Sequence, residues 1–204
     1  MSTNIRFSGR ELIDLGVAWV ALGLAFALFF GGGGQAVMYR PSVLVGLLPA
    51  SLVTAGLGFL LHELAHKVTA IRFGQIAEFR ADYGMLFLAV AGALAGFLFA
   101  APGAVYHRGR ATLRENGLIA LAGPLTNVAL GLLFLPLDLA LGGTLGEVAG
   151  LGVRINFLLA GFNMIPFGPL DGNTVKKWSF TAFLGFGLPC FALAIWALLG
   201  FSFL

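Results

Sequence analysis

Charge is scarce in this chain and cysteine nearly absent, and each shortage excludes something. Only 10% of the 204 residues are charged, against 59% hydrophobic, and mean hydropathy is +0.95. That is too little polar surface for a soluble globule of this length. Cys190 is the single cysteine, so no intrachain disulfide can form and no cysteine-based zinc site can be built. Any metal must take nitrogen and oxygen ligands, and the supply is three histidines and nine carboxylates. The basic residues are scattered through loops without interleaved aromatics, which excludes nucleic acid as a partner. Repeats, low-complexity linkers and an appended soluble domain are also missing, so residues 1–204 read as one integral membrane domain in a lipid bilayer.

What the sequence has in quantity is apolar run. Stretches of about 20 apolar residues cross a bilayer as helices, and five qualify: 12–30, 43–66, 116–137, 147–165 and 179–203. The first is long enough to span and has no convincing cleavage site, so it is expected to be a transmembrane helix rather than a signal peptide. "GGGG" at 31–34 and "YRP" at 39–41 break the chain between the first two spans. The second span is expected to run on to about Phe73 and end at Gly74. "FGQIAEFRADYG", 73–84, alternates partly as a strand does, and "GAVYHRG", 103–109, is its expected partner. Between them, residues 85–101 are apolar but interrupted by Gly92 and Gly96, which suit either a helix contact or a re-entrant turn. The expected fold class is an all-α polytopic membrane protein of about five to six transmembrane helices, with a short β-hairpin and a re-entrant segment after the second span.

One short stretch is chemically out of place. In "HELAH", 62–66, two histidines stand four residues apart, so on a helix His62 and His66 share a face and can hold one metal ion. Glu63 points beside them, placed to take a proton from water. A catalytic zinc needs three protein ligands and an open position, so a third must come from His107 or a carboxylate. Asp171 stands out, because "NMIPFGPLDG", 163–172, breaks a long helix with Pro166 and Pro169. Such breaks are tolerated in membranes only where protein or a wet cavity supports the freed backbone.

With these motifs the sequence resembles the site-2 protease family of intramembrane zinc metalloproteases, peptidase family M50, in a minimal form without PDZ or CBS domains. His62, Glu63 and His66 meet HExxH. Asn163, Pro166, Pro169, Asp171 and Gly172 meet the second pattern, N-x-x-P-x-x-P-x-D-G. The intervening glycine-proline motif appears as "LAGPLTN" at 121–127. The resemblance implies a three-helix catalytic core over about 43–172 and one zinc per chain held by His62, His66 and Asp171. It further implies Glu63 as general base, Asn163 near the substrate carbonyl or oxyanion, and cleavage of a peptide bond in or near a transmembrane helix of a membrane-protein substrate.

Other readings accompany these. Asn163 equally suits a helix cap or an interhelical hydrogen bond. Asn127 is read as packing and His107 as interfacial; Arg154 snorkels or pairs with Glu147. A zinc-binding scaffold without protease activity would not need Glu63, and a metal transporter would need a polar path through the membrane.

Topology supplies an internal test. His62, His66 and Asp171 must lie at one depth, so an even number of crossings separates them and 85–101 must be re-entrant. The positive-inside bias selects the same arrangement, collecting Arg6, Arg10, Lys67, Arg72, Arg80, Arg108, Arg110, Arg114, Lys176 and Lys177 on one side. The protein is therefore expected in the cell membrane, multi-pass, with its N-terminus and active-site mouth cytoplasmic. A helical substrate hides its carbonyls and must unwind; the strand at 75–82 is expected to hold the unwound segment by edge pairing, and the break at 163–172 to admit water.

Overall fold

The computed structural model describes residues 5–98 and 102–199. Five helical stretches are long and apolar enough to span a membrane: α1 (Gly9–Gly31), the composite Pro41–Arg72, α6 (Leu113–Ala140), α7 (Gly143–Asn163) and α9 (Phe180–Leu199). Shorter elements complete the chain: α2 (Gly33–Tyr39), β1 (Ile76–Ala81), α5 (Tyr83–Leu94), β2 (Gly103–Arg108) and α8 (Asp171–Trp178). The fold class is as expected, all-α with one small two-stranded sheet. The glycine run at 31–34 ends α1, with Gly32 and Gly33 at φ of 102° and 66°, yet α2 starts again within it.

Burial shows what lies at the centre. In α7, 72% of the apolar window is enclosed by protein, against 22% in α9 and 33–44% in the other three spans. A helix apolar all round and covered all round is a core helix. α6 and α7 are joined by only Leu141 and Gly142, which forces them antiparallel, and Phe134 and Phe157 lie flat where Gly152 and Gly131 of the opposite helix leave room.

The composite span contains α3 (Pro41–Ser51), a π turn at Leu52–Gly56 and α4 (Leu57–Arg72). The wider turn coincides with the docking of α1: the Trp19 indole donates to the Leu52 carbonyl at 2.8 Å, against a backbone where a Cβ on Gly56 would lie 1.8 Å from the indole nitrogen. π turns of this kind are single insertions into α-helices and collect near functional sites.

β1 and β2 pair antiparallel, Ile76 opposite Arg108 and Ala81 opposite Gly103. Asp82 N–H donates to the Pro102 carbonyl at 2.9 Å, so the excursion between the strands leaves and returns at the same place. A single crossing is impossible for a segment whose ends are hydrogen-bonded together. α5 is 12 residues, about 18 Å, shorter than a bilayer core of about 30 Å, and the chain turns at Gly96, φ 84°, with Phe97 N–H donating to the Gly92 carbonyl. The re-entrant expectation for 85–101 is met as far as Leu98; residues 99–101 lie outside the described residues.

The edge-pairing expectation for 75–82 is corrected by α1. In an antiparallel pair, alternate residues turn their backbone groups to the partner and away from it. Asp82 faces β2, so the N–H groups of Phe79 and Ala81 face outward. They are already taken by Glu11 at 3.0 Å and Asp14 at 3.3 Å, both on α1. Glu11 is also paired with Lys67 of α4 at 2.6 and 2.7 Å, and Asp14 accepts from the Tyr83 hydroxyl at 2.7 Å. Two acids one turn apart at the start of α1 thus seal the outer edge of β1. Among the described residues, the sheet's open edge is β2.

Candidate metal centre and catalytic cavity

α4 places His62 and His66 one turn apart on the face that meets α6, and both rings are fixed from behind. His62 Nδ1 donates to Asn127 Oδ1 at 2.6 Å, and His66 Nδ1 donates to the Ile119 carbonyl at 2.7 Å. With Nδ1 committed as donor, each ring presents its Nε2 lone pair forward, the arrangement metal-binding histidines use. The two Nε2 atoms lie 2.9 Å apart, and Asp171 Oδ2 lies 3.3 and 3.4 Å from them. Two lone pairs and a carboxylate oxygen converging this closely repel one another unless a cation or proton lies between them. A tetrahedral zinc with bonds of about 2.0–2.1 Å sets its ligands about 3.3 Å apart, so these residues fit zinc, and they form the His/Cys/Asp/Glu group suited to a metal among the described residues.

Asp171 reaches this position because the two prolines end α7 and restart the chain as α8 beside it. A Cβ on Gly172 would meet the Met164 carbonyl oxygen at 2.0 Å, so only glycine lets the start of α8 settle against the end of α7. Burial alone would raise the Asp171 carboxyl, but when protons on the two Nε2 atoms stand in for a metal, the His66 charge and the hydrogen bonds from both histidines bring it down to about 2. It is ionised, as a ligand must be.

The glycine-proline motif of α6 lies over the same group. A Cβ on Gly123 would be 2.4 Å from His66 Nε2 and 2.5 Å from His62 Nε2, so the absent methyl is the space in which the ligands meet. Pro124 follows and lacks an N–H for the carbonyl one turn back, at the level where α6 gives the Ile119 carbonyl to His66.

Glu63 is buried at 6% exposure, and its Oε2 has no hydrogen-bond partner among the described residues. It borders a cavity shared by both histidines, Asp171 and Asn163 and walled on one side by Gly103, Val105 and His107 of β2. Asn163 donates to the Leu159 carbonyl of its own helix at 3.0 Å and also borders the cavity, so one amide hydrogen is spent locally. His107 lies in the cavity wall. Burial first, and His66 second, hold its imidazole below the ordinary histidine value. Sequence reading missed Asn127, taken as packing: it is fully buried and is the group that orients His62. An amide inside an apolar helix was the available signal.

Comparison with known proteins agrees with this chemistry. Three relatives bear the name Putative zinc metalloprotease, with the suffixes MJ0611, YwhC and Rip3. The chain is 40% identical to MJ0611 of Methanocaldococcus jannaschii over 188 residues, covering 90% of this chain and 92% of the relative. It is 30% identical to YwhC of Bacillus subtilis over 162 residues, 68% and 71% of the two chains. It is 35% identical to Rip3 of Mycobacterium tuberculosis over 151 residues, 72% of this chain and 33% of that longer one. No family model matches, and neither does any solved structure. Together with a ligand triangle of zinc dimensions, the likeness along nearly the whole of MJ0611 settles the family: this chain is a member of the zinc metalloproteases.

Proposed function

We propose that the protein is a site-2 type intramembrane protease, hydrolysing a peptide bond in or near a transmembrane helix of a membrane-protein substrate. The carrying observation is the Glu63 Oε2, buried without a hydrogen-bond partner among the described residues, beside the His62, His66 and Asp171 triangle in a cavity walled by the outer edge of β2. A scaffold or a transporter has no use for a base there. Bound zinc would lower the pKa of a water toward about 7 and polarise the scissile carbonyl. Glu63 takes the proton of the attacking water and delivers it to the leaving amine nitrogen. Asn163 offers its remaining amide hydrogen to the carbonyl oxygen. The break at 163–172 borders the cavity and serves as the water entrance.

Substrate is held on β2. Gly103, Val105 and His107 turn their backbone groups away from β1 and toward the cavity, so an unwound segment can add as a third strand within reach of Glu63. Val105→Pro removes one outward N–H while keeping the pairing with β1, as edge prolines do. It is expected to slow cleavage at least tenfold with zinc still bound; normal cleavage would remove β2 from substrate binding.

The reading as a whole is tested with a single-span substrate in membrane vesicles. Wild type should cleave it and Glu63→Gln should not, by at least about a thousandfold, while both carry about one zinc per chain. Cleavage by Glu63→Gln would sink the assignment. The basic residues on the active-site side favour a cytoplasmic mouth. An impermeant chelator should therefore inhibit inverted vesicles and spare right-side-out ones.

A further inference from the structure

Behind the cavity lies a buried polar pair that the chemistry above does not use fully. Asn127 of α6 and Asn156 of α7 are both 0% exposed, in the part of the protein that crosses the membrane, where unpaired amides are costly. We propose that Asn156 is a positioning residue for the metal centre, acting on His62 through Asn127 without touching the cavity; this rests on the zinc reading above.

The direction of each hydrogen bond is fixed by backbone carbonyls, which can only accept. Asn156 Nδ2 donates to the Gly152 carbonyl at 2.9 Å, so its Oδ1 must face Asn127. Asn127 Nδ2 then donates to Asn156 Oδ1 at 3.0 Å and to the Gly58 carbonyl at 3.1 Å, spending both hydrogens. Only its Oδ1 is left for His62, at 2.6 Å, and that oxygen requires a proton on Nδ1. The chain of bonds ends with the Nε2 lone pair aimed at Asp171 Oδ2. It begins on α7, passes through α6 and ends on α4, so it also ties the three helices that carry the site. Room for it is made at Gly58, one turn before His62, where a Cβ would stand 2.6 Å from Asn156 Oδ1 and 3.5 Å from Asn127 Nδ2.

A group acting through another has no effect once that other is gone. Zinc affinity of the purified full chain, by competition with a chromogenic chelator, should fall about tenfold in Asn156→Leu, within the range of outer-shell changes. In an Asn127→Leu background the same change should cost less than about twofold. Asn156→Asp should retain affinity within about twofold, because a protonated carboxyl in this site donates to Gly152 and accepts from Asn127 as the amide does. Substituted cobalt should report the same order in its visible spectrum. Should Asn156→Leu not fold, Gly58→Ala displaces the Asn156 oxygen with the amide retained and should weaken zinc similarly. Unchanged affinity in Asn156→Leu or Gly58→Ala, or equal losses with and without Asn127, overturns the relay. A wild type that binds no zinc overturns the zinc reading itself.

Discussion

Gly123→Ala is expected to cost the protein its zinc, with affinity falling by more than the roughly 100-fold upper range of outer-shell substitutions. The added carbon would stand 2.4–2.6 Å from the Nε2 atoms of His66 and His62 and from Cε1 of His62, about 1 Å inside ordinary contact. Neither ring can retreat without breaking its Nδ1 bond, to Asn127 for one and to Ile119 for the other. Helix α6 cannot retreat either without opening its packing on α7. Helix propensity runs the other way, since alanine favours a helix by about 1 kcal/mol over glycine, so the variant should fold. Elemental analysis of monodisperse protein decides the matter. One zinc per chain in Gly123→Ala would mean that the metal does not lie among these nitrogens.

Lys67→Met is expected to destabilise the protein by about 3–5 kcal/mol, the usual cost of stranding one partner of a buried ion pair. Lys67 and Glu11 are 2% and 1% exposed, and the ammonium also donates to the Arg6 carbonyl at 2.6 Å and stands 3.9 Å over the Phe7 ring. Without it the Glu11 carboxylate keeps, among the described residues, only the Phe79 N–H. The double variant Lys67→Met, Glu11→Gln removes the stranded charge and keeps an acceptor for Phe79, and should recover most of the loss. Denaturant titration of the two variants in one detergent makes the comparison. A double variant no better than the single one would show that the charge itself was not the cost.

The parts of the site that share one helix were legible in the sequence, because a four-residue spacing fixes the relation of His62 to His66 whatever surrounds them. Asp171 was legible for a different reason: two prolines just ahead of a polar residue at the end of an apolar run, Pro166 and Pro169, are explained by a supported break. The five spans followed from composition. The partners that cross from helix to helix did not. An amide in an apolar helix marks Asn127 as needing a partner, but nothing local names that partner as His62, 65 positions away. Glu11 lies just outside the apolar run at 12–30 with no local pattern to mark it, yet it seals a strand 68 positions away. Which of two paired strands keeps a free edge is not written in either strand, so β1 was expected to offer the edge that α1 in fact covers.

The π turn at Leu52–Gly56 has a bearing on the register of the second span. One additional residue in a helical turn advances everything after it by about 100° around the axis. The stretch before the turn leaves Val43 and Val45 exposed on the outside of the molecule, while the stretch after it directs His62, Glu63 and His66 inward. Deleting any one residue of Leu52–Gly56 would let the segment close into a uniform α-helix, and the two halves would then be out of phase. Either the outer half would lose its present contacts with α1, or the histidines would swing away from Asp171. The insertion works as a phase adjuster, letting a single rod obey the bilayer along one length and the metal along the other.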